Sequence, residues 1–147
     1  DIITQHTDST AAMQVAAERG VMAFGQASDM IKFGPETQLT AIIDDWSKYY
    51  IERAEAVLEG TWKQQATWDG MREEHVIMAP FTNMPDDVAA LAAETTAKIT
   101  AKEFHPFTGP ITKQDGTVFL KEGEVADDGT LAGMNFYVKG IEDTLPQ

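Results

Sequence analysis

The sequence contains no cysteine. That excludes disulfides, thiolate metal centres and cysteine nucleophiles, and it leaves the redox compartment open. Basic residues are scarce: 11 Lys and Arg stand against 24 Asp and Glu, for a formal net charge of −13. Such a surface repels phosphate backbones and anionic headgroups, so nucleic acid and anionic membranes are poor partners. No apolar run approaches the about 20 residues that a membrane-spanning helix requires. The only histidines, His6, His75 and His105, lie far apart and form no recognisable triad or metal cluster. A Gly-x-Ser-x-Gly elbow and a P-loop are both missing, so the usual nucleophile and phosphate signatures are absent and no cofactor is expected.

What is present suffices for a folded domain. The chain has 147 residues with a hydrophobic fraction of 43%, enough to bury a core. Three segments share one design: residues 1–9, 21–29 and 39–46 each run from an apolar stretch into side chains that can hydrogen-bond. The first ends in His6-Thr7-Asp8-Ser9, the second in Gly25-Gln26-Ala27-Ser28-Asp29, the third in Asp44-Asp45-Trp46. Three strands that end this way make one rim, and ligands of open α/β sheets bind outside the carboxyl ends of the strands.

In chain order, residues 2–5 read as a strand and residues 10–19 as a helix, capped by Ser9 or Asp8. That helix presents Ala12, Val15, Ala16 and Arg19 to a sheet. Residues 21–25 form the second strand, parallel to the first through a crossover. A loop over 30–38, broken at Gly34-Pro35, leads to a third strand over 39–43. Asp44 or Ser47 is expected to cap a helix over 48–59 whose apolar stripe is Tyr50, Ile51, Ala54, Val57 and Leu58. Residues 61–70 are polar and irregular; Trp62 and Trp68 there read as structural. Residues 75–79 form a fourth strand. Pro85-Asp86-Asp87 opens a helix to about Lys102, with Pro at its first position and early acids suiting its dipole; Val88, Leu91, Ala92, Thr95 and Ile99 are its expected buried face. Beyond Phe104 the pattern changes. Asp115-Gly116 marks a hairpin between 111–113 and 118–121, residues 126–129 a further turn, and residues 134–138 a last strand. The run Asp1-Ile2-Ile3 starts inside what reads as a core strand, so the chain is expected to be a piece of something longer.

Several strings resemble a known family: Gln5-His6-Thr7-Asp8-Ser9, Phe24-Gly25-Gln26-Ala27-Ser28-Asp29, Glu59-Gly60-Thr61-Trp62 and His105-Pro106-Phe107-Thr108-Gly109-Pro110. They are similar to the basic membrane protein (BMP) family, the substrate-binding proteins of bacterial ABC transporters that include the purine-nucleoside receptor lipoproteins. The resemblance covers essentially all of this chain but only the C-terminal portion of a family member.

It implies a type I periplasmic-binding-protein fold, α/β with Rossmann-like parallel-sheet lobes, here with a β-hairpin tail. Residues 1–39 would belong to the second ligand-binding lobe. Residues 40–70 would hold a hinge crossing and a helix of the first lobe, residues 71–104 would return to the second lobe, and residues 105–147 would form a C-terminal extension. The missing N-terminal half would supply the other ligand contacts. An ABC permease would be the membrane partner, and the protein would sit in the periplasm or be lipid-anchored at the outer face of the cytoplasmic membrane.

By the resemblance, the ligand is a purine base or nucleoside, and the residues expected to contact it are Gln5, His6, Thr7, Asp8, Gln26, Asp29, Asp44, Asp45 and Trp46. Asp29 falls on the acidic position at the end of a ligand-facing strand. Thr7 and Asp8 replace a small, glycine-rich run, and Asp44 stands near a hinge-side lysine of nucleoside-binding relatives. Those departures favour a smaller ligand with donors facing the protein, such as adenine. Competing readings are structural: Asp8 as a helix cap, Asp29 as a turn cap, Trp46 as hinge packing. Asp44 and Asp45 point to opposite faces of a strand, so they form no metal pair. Two other functional classes stay open: a small α/β nucleoside-processing enzyme, and a ligand-sensing domain of a signalling system.

Overall fold

The computed structural model describes residues 1–146. They divide into two compact units, Asp1–Ala101 and Lys102–Gln147.

The first unit is built on a four-stranded sheet in the order β1 (Ile2–Ile3), β2 (Met22–Gly25), β3 (Gln38–Asp44), β4 (Val76–Met78). The first three strands are parallel, and β4 runs antiparallel to β3. The first strand is shorter than the apolar run suggests, because Thr4 onward leaves the ladder. Between β1 and β2 lies helix α1 (Ala11–Glu18). Its N-cap is Thr10, which makes no side-chain cap bond, rather than Ser9 or Asp8; Ser9 Oγ, one residue earlier, accepts from the Ala11 amide at 3.2 Å.

Strand alternation sorts the two faces of this sheet. Ala23 is buried with Met13 and Ala16 of α1 and with Met30, and Ile3, Val21 and Phe33 pack around them. The α1 face is therefore centred on Met13 and Ala16; Val15 is exposed, as is Arg19, against the sequence expectation. The neighbours of Ala23, Met22 and Phe24, look the other way. They line a cavity of about 420 Å³ together with Leu39, Phe81, Met84, Val88 and Ala92. Val88 and Ala92 belong to helix α3 (Asp86–Thr100), so helices flank both faces. Pro85 is the N-cap of α3 rather than its first helical residue. Val88 and Leu91, expected inside, are exposed, while Ala89, Ala92, Thr95, Thr96 and Ile99 are half-buried.

Residues 30–38 are more ordered than a plain loop, with a 3-10 turn over Ile31–Phe33. Helix α2 (Ser47–Leu58) leaves the sheet after β3 and the chain returns as β4. Its N-cap is Trp46, which makes no side-chain cap bond; Asp45 Oδ1, one residue earlier, accepts from the Ser47 amide at 2.9 Å, and neither Asp44 nor Ser47 caps the helix as expected. The α2 stripe is open to solvent in this unit: Tyr50, Ile51, Val57 and Leu58 are all exposed, Leu58 at 87%.

In the second unit, β5 (Ile111–Thr112) pairs antiparallel with β6 (Val118–Leu120). Gly116 takes φ +88 between them, a conformation that an L side chain resists. Residues 126–129 start a short helix, α4 (Asp128–Ala132), with Asp127 Oδ1 accepting from the Thr130 amide at 2.7 Å. No strand forms over 134–138; Val138 makes only an isolated bridge to Lys113.

Candidate functional site

The carboxyl ends of β1, β2 and β3 form one continuous rim. At the end of β2, Gly25 runs against β3 so closely that a Cβ would stand 2.6 Å from Ala41 Cβ and 2.8 Å from Gln38 Oε1. The chain then turns through Ala27, at φ +59, and reaches Asp29. Asp29 Oδ1 accepts twice, from the Ile31 amide at 3.0 Å and from Gln38 Nε2 at 2.8 Å. Gln38 is 1% exposed, and its Oε1 accepts from the Met30 amide at 3.0 Å. A buried amide with both ends paired is held firmly. Asp29 itself is exposed, and among the described residues its Oδ2 has no protein partner.

Gln5 joins this group from the β1 loop: its Nε2 donates to Met30 Sδ at 3.7 Å, and its Oε1 accepts from Thr7 Oγ1 at 2.9 Å. His6 and Asp8 are exposed on the same loop, and Gln26 is half-buried. The end of β3 closes onto the β2 loop, where the Asp44 amide donates to the Ala27 carbonyl at 3.1 Å.

Beyond that point the rim becomes aromatic. Trp46 is 50% exposed. Its ring centroid lies 5.4 Å from that of His75, 5.7 Å from Tyr49 and 6.0 Å from Tyr50. His75 Nδ1 stands 3.6 Å from Asp69 Oδ2. A cavity of about 220 Å³ opens here, lined by Asp44, Trp46, Trp68, Asp69 and His75 among others. Asp45 Oδ1 is engaged by the Ser47 amide at the start of α2. Hydrogen bonds from Ser47, side chain first and backbone second, hold its carboxyl below the usual 3.8.

The nine residues singled out in the sequence thus fall into two groups. Gln5, Thr7, Gln26 and Asp29 lie at the ends of β1 and β2; Asp44, Asp45 and Trp46 lie at the end of β3. Among the described residues, His6 and Asp8 make no side-chain hydrogen bond or ring contact. Sequence reading passed over Gln38, whose only signal is a polar residue opening an apolar strand. It also passed over Asp69 and His75, which nothing in the local sequence ties to Trp46. Among the described residues, no group of three or more His, Cys, Asp or Glu is placed to hold a metal ion, and no helix is long and apolar enough to cross a membrane.

Three parallel strands closed by an antiparallel one, helices on both faces and a polar rim at the strand ends define an α/β lobe of the type I periplasmic-binding-protein kind. Residues 1–111 match the Bmp family model, described as ABC transporter substrate-binding protein PnrA-like, and the chain belongs to that family. A purine-binding protein of Brucella abortus (strain 2308) is 69% identical over 147 residues, covering 100% of this chain and 42% of that protein. A protein of Haloferax volcanii, provisionally named an ABC transporter glucose-binding protein, is 31% identical over 147 residues, covering 99% of this chain and 35% of that protein. The chain therefore spans less than half the length of these relatives. The crystal structure of a transcriptional activator of the comK gene from Bacillus halodurans shares the fold, with a TM-score of 0.63 at 18% identity over 72% of this chain and 38% of that one.

Proposed function

We propose that this chain is part of the substrate-binding component of a bacterial ABC importer that captures a purine base, adenine in preference, or a purine nucleoside in a cleft between two lobes. The observation that carries the reading is the 69% identity, along the whole chain, to a protein named for purine binding. In this reading residues 1–39 and 71–104 belong to one lobe, residues 40–70 cross to the other, and the segment beyond residue 105 is an extension. The ligand contacts are Gln5, His6, Thr7, Asp8, Gln26, Asp29, Asp44, Asp45 and Trp46. Asp29 has an oxygen left over for a ligand N–H after its two structural bonds are made.

The mechanism is closure. Ligand touches both lobes only in the closed form, so it shifts the population toward closure in proportion to its differential affinity. A membrane permease reads the closed surface, outside the cytoplasm, with or without a lipid anchor. The ligand is returned intact, as no chemistry is performed on it.

The test is to denature the purified full-length protein, filter off the chain, and identify the released small molecule by mass and ultraviolet spectrum. Calorimetry with a purine panel follows, with glucose included because the Haloferax relative carries that name. An intact purine and a saturable purine heat support the proposal; glucose binding without purine binding overturns it.

A further inference from the structure

Gln38 is held by its main chain as well as by its side chain. It is the first residue of β3, and its amide donates to the Gly34 carbonyl at 2.9 Å. Its carbonyl accepts twice from the connection between β4 and α3, from Thr82 Oγ1 at 2.7 Å and from Asn83 Nδ2 at 2.8 Å. A carbonyl oxygen has two lone pairs, so both are engaged. The same Asn83 Nδ2 donates to the Pro35 carbonyl at 2.9 Å, and one amide thereby gathers both ends of the bend over 35–38. The Thr82 amide adds a bond to the Leu39 carbonyl at 2.8 Å. Asn83 stands at φ +53, in the left-handed region that Asn enters more readily than most side chains. Position 83 thus combines a backbone turn with a donor for two carbonyls that lie 45 and 48 residues away in the chain.

We infer that Asn83 is a positioning residue for ligand capture: by fixing the main chain of Gln38 it sets the orientation of the Asp29 carboxylate, without itself touching the ligand. The inference rests on the receptor reading, which puts the ligand on Asp29, and adds to it a residue outside the nine contacts. The path is short. Asn83 holds the Gln38 carbonyl, and the Gln38 side chain holds Asp29 Oδ1 at one end and the Met30 amide at the other. Gln38 is buried, so breaking either bond leaves a polar group without water to replace it, and that is costly. A shift of the Gln38 main chain is therefore passed on to its partners. Of these, Asp29 is the exposed one and the one that the rim presents. A hydrogen bond weakens steeply away from linear geometry, so turning the carboxylate lowers affinity even when every ligand contact is still in place. Glycine serves the turn at position 83 as well as asparagine does but donates nothing from a side chain, which makes the two roles separable.

Calorimetry on the full-length protein with adenine as the probe tests this. Asn83→Gly keeps the turn and removes both donated bonds. It is expected to weaken adenine about threefold or more, within the net range of a lost hydrogen bond. In an Asp29→Ala background the same substitution is expected to cost nothing further, because the carboxylate that Asn83 positions is gone; sites that share no partner add instead. Thr82→Val removes the other side-chain donor to the Gln38 carbonyl with little change of shape, and is expected to behave alike in both backgrounds. It carries the test if Asn83→Gly fails to fold. The side-chain amide protons of Gln38, followed by NMR, are expected to exchange faster in Asn83→Gly, which a role in the turn alone does not predict. Native adenine affinity in a folded Asn83→Gly, or an equal loss with and without Asp29, overturns the inference and leaves the receptor reading standing. Failure of the unmutated protein to bind any purine overturns both.

Discussion

Gln38 and Asp29 are joined through a buried amide: Gln38 Nε2 donates to Asp29 Oδ1 at 2.8 Å while Gln38 Oε1 takes the Met30 amide at 3.0 Å. One side chain inside β3 thus sets the orientation of a carboxylate on the rim and satisfies a buried backbone donor. Gln38→Leu removes both bonds and leaves the Met30 N–H without its partner. The expected cost is about 1–3 kcal/mol of stability, read by urea denaturation of the full-length protein. Purine affinity is expected to fall with it, since Asp29 loses its anchor. A stability change below a few tenths of a kcal/mol means that another group takes over the donor.

Asp29→Ala is expected to lower purine affinity at least tenfold without unfolding the protein. Asp29→Asn separates charge from geometry. An amide oxygen still accepts from Ile31 and Gln38, so the loop keeps its shape while the free carboxylate oxygen becomes a donor. Isothermal calorimetry showing native affinity in both variants removes Asp29 from the site.

Gly25→Ala probes the close approach of β2 and β3. The added methyl meets Ala41 Cβ at 2.6 Å and Gln38 Oε1 at 2.8 Å, and neither Ala41 nor the paired Gln38 can swing clear. Overpacking of this kind costs about 1–3 kcal/mol. A lowered denaturation midpoint is expected, together with weaker ligand binding because Gln38 is displaced. A variant as stable as the parent shows that the strands can part without penalty.

Asp45 predicts a pH dependence. Its carboxyl is held below 3.8 by Ser47, so the folded value lies below the unfolded one. The contribution of its bonds to Ser47 is therefore fully present above the unfolded value and is lost as pH falls through the folded one. The carboxyl carbon resonance of Asp45 is expected to titrate with a midpoint below 3.8, and Ser47→Ala is expected to raise that midpoint toward the ordinary value. A midpoint at or above 3.8 in the parent contradicts the bonds to Ser47.

The order and type of the main elements were legible in the sequence because each is set by local chemistry. Ser9 before an alanine-rich run, Pro85-Asp86-Asp87 and Asp115-Gly116 are signals that act within a few residues, and each marks an element observed. What was not legible is which side of a helix meets the sheet when several sides are apolar. The α1 face turned out to centre on Met13, because Met30 and Phe33 come from a distant turn to cover it. The α2 stripe reads as buried by periodicity alone, yet Tyr50, Ile51, Val57 and Leu58 are exposed. Of the rim, the strand ends were visible as apolar runs opening into polar ones. The Gln38 brace and the meeting of Trp46 with His75 and Asp69 depend on contacts 6 to 29 residues apart, which no spacing encodes.

The antiparallel pairing of β4 with β3 has a mechanical consequence. The chain departs toward α2 and comes back on neighbouring strands, and the last rung between them is the Asp45 amide donating to the His75 carbonyl at 2.8 Å. Next to that rung, Lys48 reaches Glu74 at 3.3 Å and the Trp46 ring leans on His75. Helix α2 is thereby moored to the sheet where the chain leaves and where it returns, by backbone, ion pair and ring together, and the cavity lined by Asp44, Trp46 and His75 lies against that mooring.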